Sequence, residues 1–476
     1  MKIGIVKFKL PASILALFLV QLCACTQPTP KYSTAELNYV DLSDEAQITA
    51  QPVKTTTITL SEAEGDEGVI RISLDTLVHS NLSGIGGAFN EQGGEAFMSL
   101  PEASRKALAE ALFNPATGSG FSLCRTAVGS SDFGLSAYSY SETPEDYNME
   151  HFSVERDTKS VIPFILAAQA ENPDLVMFAS PWSPPGWMKV SGKMDGGKAS
   201  PETNILRATP EIYQAYALYF SKYIQAYAQN GINIHRLVVQ NETDMNPPYP
   251  GCDMKPEEMA NLISNYIQPQ FAKDGINTEV WAGSFRGKRS DAQNFMKLEN
   301  ANDAVGLGLQ YCPQFVLKEL RENYPDLKMM HTEGRCENGN NSMVQARKRF
   351  GEMASWINMG CENYCFWNMV LNETSTSGWD WKQNSLVNID RNTGKVTYNP
   401  DYAPVSLLSR YIRPGDQALK VETKKGAALA IRNSERLVVF LQNNAKAPAT
   451  RYIQIEGKTY SAEVPAQSLC ALVFKN

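Results

Sequence analysis

The sequence predicts an α/β fold: a (β/α)8 TIM barrel with a side β-sandwich formed from both chain ends. Between residues 84 and 369, short apolar runs alternate with stretches of helical periodicity, and eight such strand units can be counted. Eight is the number of parallel strands that closes a barrel. Before and after this region, apolar and polar residues alternate as they do in half-buried antiparallel strands.

This pattern divides the 476 residues into five segments. We predict a signal peptide at 1–24, a polar tether at 25–50, the first strands of the sandwich at 51–82, the catalytic barrel at 83–400, and the rest of the sandwich at 401–476. The barrel strands are predicted at 84–90, 121–128, 175–179, 237–242, 279–285, 305–311, the run ending at Glu333, and 364–369.

The segments between these strands predict helices and one functional loop. The clearest helix opens at Pro210, because proline suits the first helical position, and Gly231 ends it. The loop from Ser183 to Thr209 is long and rich in Gly, Pro and Lys, so we expect it to shape a site.

The N-terminus has the features of a targeting segment. Lysines within the first nine residues precede the apolar run 14–20, and the run ends in Leu22-Cys23-Ala24-Cys25. A small residue before a cysteine at this distance resembles a bacterial lipoprotein signal with Cys25 lipidated. An ordinary secretory signal or an uncleaved anchor are the alternatives. The residues after Cys25 carry no acidic retention signal, which favours the outer membrane, on either its periplasmic or its outer face.

Composition excludes some functions and leaves others open. The formal net charge of −7 disfavours nucleic-acid binding. Seven of the nine cysteines lie after Cys25, and isolated buried thiols or a bridge between Cys312 and Cys336 are both compatible with their spacing. The chain contains only four histidines, none with metal-ligand spacing, so we expect neither a metal nor a cofactor. Oligomeric state stays open.

Two glutamates stand at the ends of predicted strands. Glu242 ends the fourth strand and Glu333 the seventh, and the carboxyl ends of all the strands meet at one mouth of a closed barrel. A pair of carboxyl groups roughly 5 Å apart suits a retaining glycosidase, whereas a gap of roughly 7–9 Å suits inversion. Either glutamate alone is equally compatible with a structural ion pair. The pair predicts a glycosidase site.

Several motifs, taken in order, resemble one family. They are GIGGAF at 84–89, CRTAVGSSDF at 124–133, ASPWSPPGWMK at 179–189, QNE at 240–242 and IRPG at 412–415. Together they are similar to glycoside hydrolase family 30, the family of lysosomal glucosylceramidase and of microbial β-1,6-glucanases. The resemblance implies a β/α barrel with a side sandwich and retaining hydrolysis of β-glycosides.

The resemblance also implies roles for single residues. Glu242 matches the acid/base, Glu333 the nucleophile, and Asn241 the residue that bonds the sugar 2-hydroxyl. Positions that match substrate-binding residues are Asp132, Trp182, Tyr311, Trp367, Trp381 and Asn384. Arg125 matches a residue beside the nucleophile, where Tyr311 is also expected. If the resemblance is set aside, each of these residues has a structural explanation. The tryptophans can pack in the core, Arg125 can form an ion pair, and Asp132 can cap a loop.

The sequence departs from the family pattern at two places. Thr243 stands where the family usually has proline after the acid/base, which predicts a looser turn there. Leu309-Gln310 replaces the His-Trp that precedes the matching tyrosine in the lysosomal enzyme. Both departures bear on specificity at the leaving-group side.

The leading hypothesis is therefore a lipid-anchored retaining β-glycosidase that acts on a β-linked polysaccharide or oligosaccharide, of the endo-β-1,6-glucanase type. An exo-acting β-glucosidase or glucosylceramidase-like enzyme is the runner-up. A surface glycan-binding protein without turnover is the hypothesis from another class. The lipid anchor is the sole membrane contact expected, and no nucleic acid is expected to bind.

Overall fold

The computed structural model describes residues 31–64, 68–196 and 202–475. The predicted signal peptide and the predicted lipidation site at Cys25 lie outside these residues. Across the described ranges, every helix is too short or too polar to traverse a bilayer.

Eight parallel strands form a closed barrel, which confirms the predicted fold class. In chain order they are Gly84–Phe89, Leu123–Ala127, Val176–Ser180, Arg236–Val238, Glu279–Phe285, Leu307–Gln310, Met329–Glu333 and Asn363–Asn368. The first strand pairs with the second and with the eighth. The backbone N–H of Gly334 donates to the carbonyl of Cys365 and joins the seventh strand to the eighth. All the strand ends that carry predicted site residues therefore surround one mouth.

Apolar side chains fill the interior of the barrel. One buried cluster joins Leu123, Phe178, Val238, Trp281, Met330 and Cys365, which come from six different strands. The first strand can approach its neighbour closely because it is rich in glycine. A Cβ on Gly86 would lie 2.0 Å from the carbonyl oxygen of Leu123.

Helices surround the barrel, mostly where the sequence predicted them. They are Glu91–Met98, Glu102–Phe113, Val161–Glu171, Pro210–Gln229, Pro256–Leu262, the π-helical turn Ile263–Ile267, Gln268–Asp274, Asp291–Phe295, Gln314–Asn323, Met343–Asn358 and Tyr402–Tyr411, with short 3-10 turns at Glu45–Gln47, Asp157–Lys159, Gly186–Met188 and Ala301–Asp303. Thr209 caps the helix that begins at Pro210, since its side chain accepts a hydrogen bond from the backbone N–H of Ile212.

Strands from both chain ends form a second sheet. In spatial order these ten strands are Val53–Thr59, Thr34–Asp41, Ser468–Lys475, Arg436–Asn443, Ala428–Arg432, Gln417–Glu422, Ile70–His79, Ala449–Ile455, Lys458–Val464 and Ser61–Glu62. The strands Val53–Thr59 and Lys458–Val464, from opposite ends of this order, touch each other. The sheet therefore curls over a core of its own, in which Leu37, Val439, Ile453 and Leu472 are buried together.

The predicted tether at 25–50 is wrong for residues 34–41. Thr34–Asp41 is a strand that pairs antiparallel with Val53–Thr59 and with Ser468–Lys475. Its polar composition hid it, because Asn38 is buried and satisfied within the sheet, donating to Glu36 and accepting from Thr55. Buried polar groups are tolerated where they are hydrogen-bonded in this way.

The boundary predicted at residue 401 also needs correction. Residues 402–411 form a helix that packs on the first barrel strand as well as on the strand Thr34–Asp41. Before it, a small sheet follows the eighth barrel strand, with strands Val370–Asn372, Val387–Asp390 and Lys395–Tyr398. This small sheet holds the loop between its first two strands at the barrel mouth.

The cysteines of the described residues are all free thiols, so the bridge considered between Cys312 and Cys336 is absent. Each of these two thiols instead faces a nearby carbonyl. The Sγ of Cys312 lies 3.4 Å from the oxygen of Phe285, and the Sγ of Cys336 lies 3.7 Å from that of Gly334.

Candidate active site

A cavity of about 570 Å³ opens at the carboxyl ends of the barrel strands. The residues predicted for the site that line it are Asp132, Trp182, Glu242, Tyr311, Glu333 and Trp381. The two glutamates come from the fourth and seventh strand units and share this one wall. The topology of a parallel barrel thus brings together residues that are 91 positions apart in the chain.

Glu333 is held by two donors and is nearly buried. The Nη1 of Arg125 donates to its Oε2 at 2.6 Å, and the hydroxyl of Tyr311 donates to its Oε1. Arg125 is fully buried and also donates to Ser180, to Asn241 and to the carbonyl of Thr332. Charge-assisted contacts of this kind are short and fix the orientation of the carboxyl group, and a carboxylate so oriented can attack an electrophilic carbon.

Glu242 stands in a different environment. Its backbone adopts φ 47°, the left-handed region, at the turn that follows the fourth strand. The Nη1 of Arg286 donates to its Oε1 at 3.0 Å, and the hydroxyl of Tyr249 lies 3.3 Å from its Oε2. Both oxygens therefore have a defined neighbour inside the cavity.

Burial and like charges keep two carboxyl groups of this cavity protonated to higher pH than usual. Burial, together with the negative charge of Glu333, raises the pKa of Glu242 to about 7, against the opposing effect of Arg286. Burial also raises the pKa of Asp132 well above its ordinary value, helped by the charges of Glu333 and Glu242. One cavity thus holds a carboxylate with a buried counter-charge and a carboxyl group whose pKa lies near neutrality.

Aromatic rings form the base of the cavity. The rings of Trp182 and Trp367 stack with their centroids 4.8 Å apart. The guanidinium of Arg125 lies over Trp182 at 4.4 Å, and its Nη1 donates to the carboxylate of Glu333. Trp182 faces the cavity, whereas Trp367 supports it from behind. This base is flat, apolar and rigid, which suits a sugar ring.

Asn241 lies deep in the site, whereas Trp381 lies at its rim. The Oδ1 of Asn241 accepts from the Nη2 of Arg125 at 2.8 Å, which fixes its amide next to the two glutamates. Trp381 is 41% exposed and its ring lies 5.6 Å from that of Tyr249. The two aromatic residues join the loops after the fourth and eighth strands across the rim.

Asn384, predicted to bind substrate, is not among the residues that line this cavity, and its role stays a prediction. The residue is fully buried, and its Oδ1 accepts from the backbone N–H of Asn341. Its neighbour Gln383 lines the cavity. The buried Nδ2 of Asn384 has no hydrogen-bond partner among the described residues.

The turn after Glu242 is firm, contrary to the expectation from Thr243. This residue is fully buried, and its carbonyl accepts hydrogen bonds from the backbone of Met254 and the side chain of Arg289. The other departure, Leu309-Gln310, is buried beneath the cavity, where the Oε1 of Gln310 accepts from Thr332. Thr243 and Leu309-Gln310 therefore lie behind the cavity wall and do not form part of it.

The loop at 183–209, predicted to shape a site, acts indirectly. The Nζ of Lys189 donates to the carbonyls of Met194 and Gly251, at 2.7 and 2.6 Å. Burial lowers the pKa of this lysine to about 8. The contacts tie the loop to the segment that carries Tyr249, which is the part that reaches Glu242.

Among the site residues that sequence reasoning missed are three close to Glu242: Asp244, Tyr249 and Arg286. Arg286 follows directly after the fifth strand, Glu279–Phe285, so the rule that selected strand-end glutamates could have found it. Tyr249 lies in an irregular loop rich in proline, and no pattern marks it. Asp244 was overlooked because it is a second acidic residue close to Glu242 in the sequence.

A second concave region, of about 670 Å³, lies on the sheet formed by the chain ends. Ile70, Leu441 and Tyr452 are among its lining residues, and Glu64 is the one acidic side chain among the described residues that line it. It has no pair of carboxyl groups. In residues 31–64, 68–196 and 202–475, no group of three or more acidic, histidine or cysteine side chains is arranged to hold a metal ion.

Comparison with known proteins identifies relatives over most of the chain. A sequence profile described as the glycosyl hydrolase family 30 TIM-barrel domain matches residues 82–290, which include Glu242 but not Glu333. The chain is 26% identical over 430 residues to a provisionally named glucosylceramidase 3 of Caenorhabditis elegans, a match that covers 83% of this chain and 80% of that protein. It is 27% identical over 376 residues to the endo-1,6-beta-D-glucanase neg1 of Aspergillus fumigatus, covering 74% and 75%.

Solved structures share the whole architecture. The crystal structure of SrfJ from Salmonella typhimurium superimposes with a TM-score of 0.84 at 22% identity, covering 93% of this chain and all of that chain. At this identity the likeness supports the fold, that is, the barrel together with the sheet formed by both chain ends.

Proposed function

Because the chain belongs to glycosyl hydrolase family 30, we propose that it is a retaining β-glycoside hydrolase that acts on β-linked glucans, with Glu333 as nucleophile and Glu242 as acid/base. The observation that carries the proposal is the contrast between these two side chains in one cavity. Glu333 is bonded to the buried Arg125, whereas the pKa of Glu242 is raised to about 7. Carboxyl groups whose environments differ in this way divide the acid and nucleophile roles between them.

In the first step the carboxylate of Glu333 attacks the anomeric carbon of the sugar. The bond from that carbon to the leaving oxygen breaks, and Glu242 gives its proton to this oxygen, so that a glycosyl ester and a free alcohol result. Trp182 supports the ring, and the carboxyl group of Asp132 at the cavity wall can hydrogen-bond to a sugar hydroxyl. The contact with Arg125 orients Asn241 towards the same sugar.

In the second step water attacks the same carbon and the ester bond to Glu333 breaks. Glu242 takes the proton from the water, and the carboxylate of Glu333 is restored. Formation of the ester removes the negative charge of Glu333, which is one of the causes that raise the pKa of Glu242. The pKa of Glu242 therefore falls when the intermediate forms, and the acid of the first step becomes the base of the second.

The glucan assignment rests on the Aspergillus fumigatus relative, whose name states endo-1,6-β-glucanase activity. The Caenorhabditis elegans relative favours a second candidate, an exo-acting glucosylceramidase-like enzyme. Both candidates use the same two glutamates and the same retaining chemistry, and they differ in the leaving group.

We expect hydrolysis of β-1,6-glucan with net retention of configuration. Proton NMR during the first minutes should show the β-anomer of the product before mutarotation, and Glu333→Gln serves as the inactive control. Oligosaccharides as early products support endo action, and glucose alone supports the second candidate. An α-anomer as first product contradicts the retaining mechanism, and no product from β-1,6-glucan or aryl β-glucosides contradicts the proposal as a whole.

We also propose that Cys25 carries the lipid that holds the protein on a bacterial outer membrane. Expressed with its full N-terminus in a Gram-negative host, the wild-type protein should sediment with membranes and require detergent for extraction. Cys25→Ala should release it or leave it with an uncleaved signal, whereas Cys23→Ala, the matched control, should behave as wild type. Membrane retention of Cys25→Ala without a change in mass would contradict the lipid anchor.

A further inference from the structure

We propose that Arg286, held in place by Asp244, is a positioning residue that decides which oxygen of Glu242 carries the proton in the first step and favours the ionised Glu242 that accepts a proton from water in the second step. The inference deepens the proposed function and rests on it. It starts from a chain of three charged side chains that runs from the cavity wall into the protein.

The chain of contacts is built from two adjacent barrel units. The Nη1 of Arg286 donates to the Oε1 of Glu242 at 3.0 Å, and its Nε lies 3.3 Å from the Oδ1 of Asp244. The side chain of Asp244 is only 2% exposed, and that of Arg286 12%. The contact with Glu242 is a hydrogen bond, whereas the contact with Asp244 is an ion pair without hydrogen-bond geometry. The guanidinium therefore lies between two carboxyl groups, and the charge of Asp244 favours this placement.

This geometry selects one oxygen of Glu242 for proton transfer. A guanidinium has donors and no acceptor, so the oxygen it contacts must keep a lone pair free. Oε1 is that oxygen, which leaves Oε2 to bear the proton. The hydroxyl of Tyr249 donates to Oε2 at 3.3 Å when Glu242 is ionised, and a phenol can accept from Oε2 when Glu242 is protonated. The same Oε2 then gives the proton to the leaving group and takes it back from water.

The charges around Glu242 show why a cation is needed there. Glu333, Asp132 and Asp244 are the acidic groups that face it, and the phenols of Tyr249 and Tyr311 face it as well. Arg286 is the cation that contacts Glu242 and lowers its pKa. Once Glu333 is esterified, its negative charge no longer raises the pKa of Glu242. The positive charge of Arg286 then favours the ionised form of Glu242, which is the form that activates water.

The test compares the pH dependence of two variants that should move in opposite directions. The basic limb of kcat/KM reports loss of the proton from the acid in the free enzyme. Arg286→Gln removes a cation and should shift this limb upward by about one pH unit, since an opposite charge at this range shifts a pKa by about one or more. Asp244→Asn keeps an oxygen beside the Nε of Arg286 but removes a negative charge that raises the pKa of Glu242, so it should shift the limb downward.

A matched control separates the contact from the charge alone. Lys288 lines the same cavity two residues further on and makes no described contact with Glu242, so Lys288→Gln removes a similar charge without the hydrogen bond. Its basic limb should move by less than that of Arg286→Gln. Equal shifts in Arg286→Gln and Lys288→Gln, or shifts of the same sign in Arg286→Gln and Asp244→Asn, would overturn the proposal.

A second readout addresses the hydrolysis of the intermediate. With 2,4-dinitrophenyl β-glucoside the leaving group needs no proton, so turnover reports the second step. At a pH below the pKa of Glu242 in the intermediate, Arg286→Gln should lower kcat and KM together, by about tenfold if that pKa rises by one unit. Intact-mass spectrometry should then show accumulated glycosyl-enzyme. Lower kcat with unchanged KM and no adduct would overturn the role in the second step.

These measurements distinguish the inference from the proposed function. If wild type does not cleave any β-glucoside, the proposed function fails and the inference with it. If wild type is active and the variants fold but leave the basic limb in place, only the role of Arg286 fails. Should Arg286→Gln not fold, Asp244→Asn still decides, because a downward shift supports the proposal and an unmoved limb contradicts it.

Discussion

Replacing Glu333 by glutamine is expected to lower kcat by at least about 10⁴-fold on every β-glucoside, including those with activated leaving groups. The substitution keeps the shape of the side chain and can keep the contact with Tyr311, but it removes the negative charge that would attack the anomeric carbon. Asp132 and Glu242, the other carboxyl groups to which a role at the sugar is assigned, are poor replacements because both have raised pKa values. Rates with the dinitrophenyl β-glucoside measure the loss.

Glu242→Ala provides the contrast that identifies the roles. The acid is not needed to expel dinitrophenolate, so this variant should still form the glycosyl-enzyme, while hydrolysis of the intermediate slows by about 10²–10⁴-fold. Azide, which needs no base, should restore turnover and give the β-glycosyl azide. Azide rescue of Glu333→Gln in place of Glu242→Ala would show that the roles are exchanged, and full activity in either variant would refute the pair.

The parts of the fold that repeat could be predicted from the sequence, and the parts that occur once could not. Eight strand units give eight similar signals, so an error at one of them does not change the count. The strand Thr34–Asp41 gives one weak signal, because its buried Asn38 looks polar until its partner Thr55 is known. The helix Tyr402–Tyr411 was missed because the terminal strands around it set the expectation for the whole tail.

The residues of the candidate site also divide into those that could be predicted from the sequence and those that could not. Glu242 and Glu333 end strands of one barrel, and barrel topology alone requires them to share a mouth. Arg286 could have been found by the same rule, but a cation after a strand suggests no chemistry until the group it contacts is known. The position of Asn384 depends on a hydrogen bond from the backbone of Asn341, 43 residues earlier, and no local pattern contains that information.

Arg125→Met is expected to reduce the free energy of unfolding at neutral pH by about 3–5 kcal/mol, the cost of leaving a buried carboxylate without its partner. Arg125 is fully buried and donates to Glu333 at 2.6 Å, to Ser180 at 2.9 Å and to Asn241 at 2.8 Å. Methionine fills much of the space under Trp182 but satisfies none of these acceptors. Urea unfolding followed by circular dichroism measures the change.

The pH dependence of this loss separates charge from packing. Without Arg125, a buried carboxylate binds a proton more tightly in the folded chain than in the unfolded chain. The folded state therefore gains stability as pH falls, and the loss should be smaller at pH 5 than at pH 8. A loss that is equal at both pH values would mean that packing around Trp182, not the ion pair, is what Arg125 supplies.

A buried arginine outside the cavity shows whether the effect belongs to the site. Arg349 donates to the two carboxylate oxygens of Asp401 at 2.9 and 3.3 Å and is about as buried as Arg125. Arg349→Met should also lose stability, because Asp401 is left unpaired, but its folded molecules should turn over substrate at close to the wild-type rate. Folded Arg125→Met should be nearly inactive, since neither Glu333 nor Asn241 is then held in place. Equal turnover by the folded molecules of both variants would mean that Arg125 maintains the barrel and has no part in orienting the nucleophile.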